Sequence, residues 1–240
     1  MKNSLYIKHT HSTNELCWEM NRKKSLPEGF VVYTDFQSEG KGQPGNSWES
    51  AKSKNLLFSL ILHPIHIPMN EVFLISQLVS VALKNVLDDY MPEITVKWPN
   101  DIYWNDQKLG GILIENSIQG NKIMTVVIGI GMNVNQKMFE SNAPNPVSIL
   151  KITGKSQNRK QLLQKFQRNI MFLYSELEKE EIKKKYAESM YRRNGFHTFM
   201  SDNETFSAKI VEVQTDGQLE LVTKDGEQKY FYFKEVQFVI

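Results

Sequence analysis

The feature that most constrains this chain is an almost continuous apolar run of strand length, Leu56-Leu57-Phe58-Ser59-Leu60-Ile61-Leu62, flanked by Asn55 and Pro64. Its length and flanks favour a buried strand over a helix. Ile123 to Val134 is the most apolar strand candidate in the sequence. Ile94-Thr95-Val96-Lys97-Trp98, Ile102-Tyr103-Trp104 and Gly111-Ile112-Leu113-Ile114-Glu115 read as further strands, and Phe30-Val31-Val32-Tyr33 as an earlier one. Asn105-Asp106 and Gln119-Gly120-Asn121 supply turn chemistry between extended segments. Hairpins clustered in this way imply an α+β fold with a mixed or antiparallel sheet flanked by helices, and argue against a doubly wound parallel sheet.

The flanking helices have their own signals. Asn70 can cap a helix over residues 71–90, with Val72, Ile75, Leu78, Val79, Ala82 and Val86 on one face and Pro92 closing it. Ser156 opens a second helical region with Leu162, Leu163, Phe166, Ile170, Leu173 and Leu177 on one face. Its tail carries Glu180/Lys184 and Glu181/Lys185 at i,i+4 spacing, a solvated face. The first 65 residues otherwise read as short strands and loops. After Arg192-Arg193-Asn194-Gly195, short alternating segments are punctuated by Thr215-Asp216-Gly217 and Lys224-Asp225-Gly226, which are hairpin signals. The expected organisation is a large domain over residues 1–192 and a small β-barrel-like domain over residues 193–240.

Composition narrows the class. With 29 basic and 27 acidic residues among 240, the net charge of +2 does not suit a protein built mainly to coat nucleic acid or an anionic membrane. Cys17 stands alone, so a disulfide framework is excluded and a reducing compartment fits. No stretch approaches the roughly 18 uninterrupted apolar residues of a membrane span. Met1-Lys2-Asn3-Ser4 leads into no apolar signal core. The expectation is a cytoplasmic protein without a membrane partner.

Three clusters can carry chemistry. Gly40-Lys41-Gly42-Gln43-Pro44-Gly45-Asn46-Ser47 has no apolar side chain to bury; its backbone N–H groups and Lys41 can meet an anion, and Trp48 offers a flat stacking face. A surface loop with a buried tryptophan behind it accounts for the same residues. Lys97-Trp98-Pro99-Asn100-Asp101 and Lys108-Leu109-Gly110-Gly111 bring two lysines, a carboxylate and an amide toward one sheet end, which suits an oxyanion or phosphate site. Two surface lysines beside a strand-ending turn are an equal alternative. Gly129-Ile130-Gly131-Met132-Asn133 places glycines inside an apolar strand, a sign of close approach by a ligand or another backbone, or of a bulge. Thr153-Gly154-Lys155-Ser156 ends like a phosphate loop, but Ile149 stands where its first glycine belongs. His9, His11, His63 and His66 lack the cysteine pair of a zinc site, and no Ser-His-Asp spacing stands out.

Taken together and in order, Ser12-Thr13-Asn14, Gln37, Gly40-Lys41-Gly42, Trp48, Asn55-Leu56-Leu57-Phe58-Ser59-Leu60, Lys97-Trp98-Pro99-Asn100-Asp101, Lys108-Leu109-Gly110-Gly111-Ile112-Leu113-Ile114-Glu115 and Gly129-Ile130-Gly131-Met132-Asn133 resemble the biotin protein ligases. The resemblance covers most of residues 5–135 and continues through Asp216-Gly217-Gln218-Leu219. It implies a class II synthetase-like ligase fold with a small SH3-like C-terminal domain. It also implies a two-step reaction, in which biotin and ATP give biotinyl-5′-AMP and a lysine of a biotin carboxyl carrier domain takes the biotin.

By that resemblance the catalytic residues are Lys108, Asp101, Lys41 and Asn100. Lys108 would touch both the biotin carboxylate and the α-phosphate, with Lys41 in support. Asn100 would help position the carboxylate and phosphate, and Asp101 would orient the acceptor lysine or a metal-bound water. Ser12, Thr13, Asn14, Gln37, Gly40, Lys41, Gly42, Gln43, Lys108 and Gly111 would form the biotin site. Lys41, Gln43, Trp48, Lys97, Asn100, Lys108 and Asn133 would form the ATP and adenylate site. Magnesium would be held partly by the nucleotide, without a dedicated set of protein ligands, and the glycine loop would order as a lid. Gln43, Pro44 and Asn46 stand where relatives are often basic, and Lys234-Glu235 lacks a glycine often found before that glutamate.

Ser12 already belongs to the ligase domain, leaving no room for the helix-turn-helix that some family members carry, so no DNA binding is expected. The sheet edges of such a fold can support a homodimer or carrier docking, and no residue decides between them. The alternatives are a lipoate–protein ligase, which shares the broad fold, and a non-catalytic biotin- or carrier-binding module.

Overall fold

The computed structural model describes residues 3–43, 45–140 and 145–240, so Met1, Lys2, Pro44 and residues 141–144 lie outside the described residues. The large sheet holds β1 (Ser4–Ile7), β2 (Val31–Thr34), β3 (Leu56–Leu62), β4 (Ile94–Lys97), β5 (Asp101–Trp104), β6 (Gln107–Gln119) and β7 (Lys122–Met132). Their order is β1-β2-β3-β7-β6-β5-β4; β1 and β2 run parallel, and every other pair is antiparallel. The mixed sheet expected from the hairpin signals is therefore present. β3 is buried at all seven positions and pairs along its full length with β7, which explains its unbroken apolar sequence.

Cross-strand partners share a face of a sheet. On the rear face, Phe58, Ile130 and Ile112 form one row and Leu60, Ile128 and Ile114 another, packed in the main core with α2 (Phe73–Leu87), α4 (Arg159–Glu176) and α5 (Lys179–Ser189). Phe58 stacks on Phe166 of α4 at 6.4 Å. Helix α2 begins later than residue 71 because Met69–Glu71 forms a 3-10 turn. The segment Met69–Leu87 is long and apolar enough to cross a membrane, but most of it is buried inside the fold. The second helical region is two helices, α4 and α5, broken at Leu177, whose φ is +38°. A short α3 (Ile149–Thr153) precedes them, and Gly154 caps its end in the left-handed conformation.

The front face is covered differently. A helix unforeseen in the sequence, α1 (Thr13–Lys23), lies over β2, β3 and β7 and closes a small separate cluster of Cys17, Leu26, Val32, Ile61 and Val127. The N-terminal region is thus not confined to strands and loops. Only part of this face is covered, and the remainder is the floor of a cavity.

The C-terminal residues form a five-stranded antiparallel sheet, ordered β11 (Gln228–Phe231), β10 (Leu219–Thr223), β9 (Glu204–Val213), β8 (His197–Ser201) and β12 (Gln237–Phe238). Its buried Phe199, Leu219, Leu221 and Phe238 are continuous with the main core. The Trp98 indole donates to the Gly217 carbonyl at 3.0 Å, so the small sheet is attached directly to the turn between β4 and β5.

Candidate active site

One row of cross-strand neighbours crosses the front face: Leu57, Gly131, Gly111, Asp101 and Lys97. The row ends in a carboxylate and an amine because β4 and β5 are joined by the tight turn Trp98-Pro99-Asn100, whose Trp98–Pro99 bond is cis. The Pro99 carbonyl accepts hydrogen bonds from Ser76 of α2 and Tyr186 of α5, each at 3.3 Å, and these fix the turn to the helices behind. Asn100 is buried and committed to β6: its side-chain amide donates to the Ile112 carbonyl, and its own carbonyl accepts from Ile112 N at 3.0 Å.

Lys108 reaches the same face through a bulge. Strict alternation sets Lys108 and Gly111 on opposite faces of β6. The β5–β6 register, however, passes from Ile102↔Gly110 to Tyr103↔Lys108 and leaves Leu109 as an extra residue. The inserted residue turns Lys108 to the front, where its Nζ lies 2.7 Å from Asp101 Oδ2. Both side chains are 24% exposed, and the pair meets solvent through the cavity. Lys97 donates to the Tyr103 hydroxyl at 3.2 Å and lies 5.4 Å from the Phe238 ring centre. Burial holds its amine below the usual lysine range; Lys108 and Arg192 add to the depression, and Asp101 opposes it. Burial likewise raises the Tyr103 hydroxyl, and Asp101 raises it further.

The other end of the cavity is a polar knot at the start of α1. Gln37 Oε1 accepts from Thr13 N at 2.7 Å and lies 2.9 Å from Thr13 Oγ1. Ser59 Oγ lies 2.7 Å from Thr13 Oγ1 and 2.6 Å from Asn14 Oδ1. Asn14 Nδ2 donates to Glu115 at 2.8 Å. A Cβ at Gly129 would stand 2.9 Å from Asn14 Cγ, and one at Gly131 would stand 2.6 Å from Trp48 Nε1. The glycines of β7 therefore admit two side chains, those of Asn14 and Trp48, close to the sheet.

The glycine loop folds back beside this knot. Trp48 N donates to Gly40 O at 2.8 Å, Lys41 bridges to Ser47, and the Lys41 amine pairs with Glu15 of α1. That pairing holds the Lys41 amine above its ordinary range, Glu15 acting first through the hydrogen bond and then through its charge. At the far end of the loop, Gln136 donates to Glu49 at 3.1 Å and accepts from Asn55 at 2.5 Å, so the segment after Trp48 is tied to the buried strand end.

These parts enclose a cavity of about 820 Å3, a size that accommodates a drug-sized ligand. The predicted residues Ser12, Thr13, Asn14, Gln37, Lys41, Gly42, Gln43, Trp48, Lys97, Asn100, Asp101, Lys108 and Gly111 all line it. Gly40 and Asn133 do not. Gly40 lies against the Trp48 backbone, and Asn133 is buried behind the wall, its backbone N bonded to Leu109 O and its side-chain oxygen without a partner among the described residues. The opposite wall, marked in the sequence by no more than the Lys234-Glu235 departure, comes from β12 and the residues flanking it: Phe233, Lys234, Val236, Gln237, Phe238 and Ile240. Ser59 and Glu115 also belong to the site's framework. Both stand inside motifs that carry the family resemblance, and each is a polar residue on the front-facing register of an apolar strand, but neither was picked out as a site residue.

The chain resembles known proteins in sequence and in fold. The model of the Biotin/lipoate A/B protein ligase family matches residues 6–133. The bifunctional ligase/repressor BirA of Bacillus subtilis is 35% identical over 127 residues, which are 52% of this chain and 38% of that protein. The biotin–[acetyl-CoA-carboxylase] ligase of Mycobacterium tuberculosis is 27% identical over 150 residues, 60% of this chain and 53% of that one. The matches thus span less than two thirds of these relatives. A biotin protein ligase structure from Aquifex aeolicus, in complex with biotin and ATP, superposes over the whole of both chains with a TM-score of 0.80 at 24% identity. With over half of its length matched by the family model, this chain belongs to the Biotin/lipoate A/B protein ligase family.

Proposed function

We propose that the protein is an ATP-dependent biotin–protein ligase. The observation that carries this reading is the Lys108–Asp101 pair at one end of a cavity whose other end is a knot of hydroxyl and amide groups. A cyclic urea finds hydrogen-bond partners in that knot, and a carboxylate tail extending from it would reach the lysines. Lipoate, whose dithiolane ring has no N–H, would leave the knot unmatched.

In the first step a biotin carboxylate oxygen attacks the α-phosphorus of ATP, the bond to the bridging oxygen breaks and pyrophosphate leaves. Two anions must approach each other, so the step needs cations and oriented donors more than a base. Lys108 is placed to contact both, Lys97 and Lys41 add positive potential, and the Gly40–Ser47 loop keeps water from the mixed anhydride. In the second step the neutral amine of a carrier-domain lysine attacks the biotinyl carbonyl, the bond from that carbon to the phosphate oxygen breaks, AMP leaves, and the proton shed by the amine passes to solvent; Asp101 orients that amine.

Among the described residues, Asp101 is the one Asp or Glu lining the cavity, and no group of three or more His, Cys, Asp or Glu could hold a metal ion. That donor set fits a magnesium ion carried on the nucleotide's phosphates, with Asp101 as the chain's contribution; its chemistry there is to offset phosphate charge. We place residues 1–192 as the ligase domain, residues 193–240 as the unit that closes the cavity, and the reaction in the cytoplasm.

Biotin-dependent release of pyrophosphate from ATP tests the reading: folded protein that releases none refutes it. Lys108→Ala should reduce release by at least about a hundredfold, the order seen when one charge-stabilising group is removed, while the protein still melts cooperatively.

A further inference from the structure

Glu115 does not line the cavity, yet it is bonded to a residue that does. One of its carboxylate oxygens receives Asn14 Nδ2 at 2.8 Å and the Trp18 indole N–H at 3.3 Å. An ionised carboxylate only accepts, so it fixes the Asn14 amide with nitrogen outward and Oδ1 toward Ser59. Asn14 Oδ1 has no proton to give, so the 2.6 Å contact takes the single Ser59 hydroxyl proton. Ser59 Oγ is then left to accept in its 2.7 Å contact with Thr13, and the Thr13 hydroxyl proton is held inside the knot, shared between Ser59 Oγ and Gln37 Oε1 at 2.9 Å. Gln37 Oε1 keeps its 2.7 Å bond from Thr13 N, which turns the Gln37 amide nitrogen away from Thr13.

We propose that Glu115 is a positioning residue that sets this proton direction from outside the cavity. The result at the closed end is a Thr13 oxygen that can only accept and a Gln37 amide nitrogen that can only donate. That pairing selects a ligand bearing an N–H beside a carbonyl, as a cyclic urea does, over one with an apolar ring. The inference rests on the biotin reading and adds to it a residue that no ligand contact would reveal. Gly129 is part of the same device, because a Cβ there would meet Asn14 at 2.9 Å and turn its amide.

The test uses the full chain, with biotin and ATP titrated separately in the pyrophosphate assay and biotin binding measured by calorimetry. Glu115→Ala is expected to raise the KM for biotin by about tenfold or more, the loss expected for one or two misdirected buried hydrogen bonds, with the KM for ATP unchanged. Asn14→Asp alone sets two carboxylates face to face and should be worse. Adding Glu115→Gln rebuilds the link with donor and acceptor exchanged, since the introduced amide nitrogen then donates to the new carboxylate on α1. Biotin affinity should return to within about tenfold of wild type. A Glu115→Ala enzyme with wild-type biotin affinity overturns the inference; so does an equal rise in both KM values, or a double variant no better than Asn14→Asp alone. A wild-type protein that releases no pyrophosphate overturns the biotin reading itself, which the variant comparison by itself leaves standing.

Discussion

Gly131 offers a quantitative test of how the site is assembled. It lies in β7, with the Trp48 indole directly above it. A Cβ there would stand 2.6 Å from Trp48 Nε1 and 2.8 Å from Cζ2, whereas relaxed carbon contacts are about 3.5–4.0 Å. In Gly131→Ala the ring must therefore rise by about 1 Å. Trp48 can yield, because it sits in a loop with its backbone N–H tied to Gly40 and is only half-buried. Lifting the ring exposes on the order of 50 Å2 of apolar surface, about 1.3 kcal/mol at 25 cal/mol per Å2. Residual overpacking adds about 1 kcal/mol, and the reduced freedom of the unfolded chain returns about 0.5 kcal/mol. The expected net loss is about 2 kcal/mol, read as a Tm lower by roughly 4–8 °C in a thermal melt. The decisive comparison is the same substitution in a Trp48→Ala background, where the three atoms nearest the new Cβ are gone and Gly131→Ala should be neutral or slightly stabilising. An equal loss in both backgrounds would refute the placement of the indole on the glycine floor.

Two further outcomes follow from buried contacts. Lys97 is held below its ordinary pKa, so protonating it costs more in the folded than in the unfolded state; that penalty is complete at low pH and fades as pH rises from the depressed value toward about 10.4. The Tm difference between wild type and Lys97→Met should therefore move in favour of wild type between pH 7 and about 10, and a flat difference would contradict the burial of this amine. Trp98→Phe leaves the Gly217 carbonyl without its 3.0 Å indole donor and should cost about 1–3 kcal/mol. Amide exchange should then accelerate in β8–β12 well before it does in β3 and β7; uniform acceleration would show that the small sheet is not attached through this bond.

What was legible in the sequence divides along the two faces of the large sheet. β3 was readable because it is buried on both sides, β7 because its centre, residues 125–128, is buried, and α2 because its apolar face is broad. α1 was not, because it covers only the small cluster around Cys17 and Val127 and devotes its first turn, Thr13 and Asn14, to the cavity. β6 extends to residue 119, beyond the expected 115, because its outer half is exposed and carries no apolar signal. The glycines at 129 and 131 did mark a close approach, but of side chains from α1 and the glycine loop; their spacing of two residues places both on one face and is all the sequence could offer. The cavity wall from residues 233–240 is short, far along the chain and brought into place by packing on Trp98 and Tyr191.

The single inserted residue at Leu109 shows how the two halves of the site depend on each other. Without it, Lys108 would face the rear core with Gly110, where an unpaired amine costs several kcal/mol. With it, Leu109 is fully buried and the amine stands against Asp101 on the front. The same insertion leaves Leu109 O to accept from Asn133 N and Lys108 N to donate to Asn145 O, so the residues after β7 are bound to the bulge that aims the lysine. A net charge of +2 concealed this arrangement: four lysines, Lys41, Lys97, Lys108 and Lys234, line one cavity against the single side-chain carboxylate of Asp101 among its described residues. Positive potential is concentrated where two anions would have to meet, and the rest of the surface is left near balance.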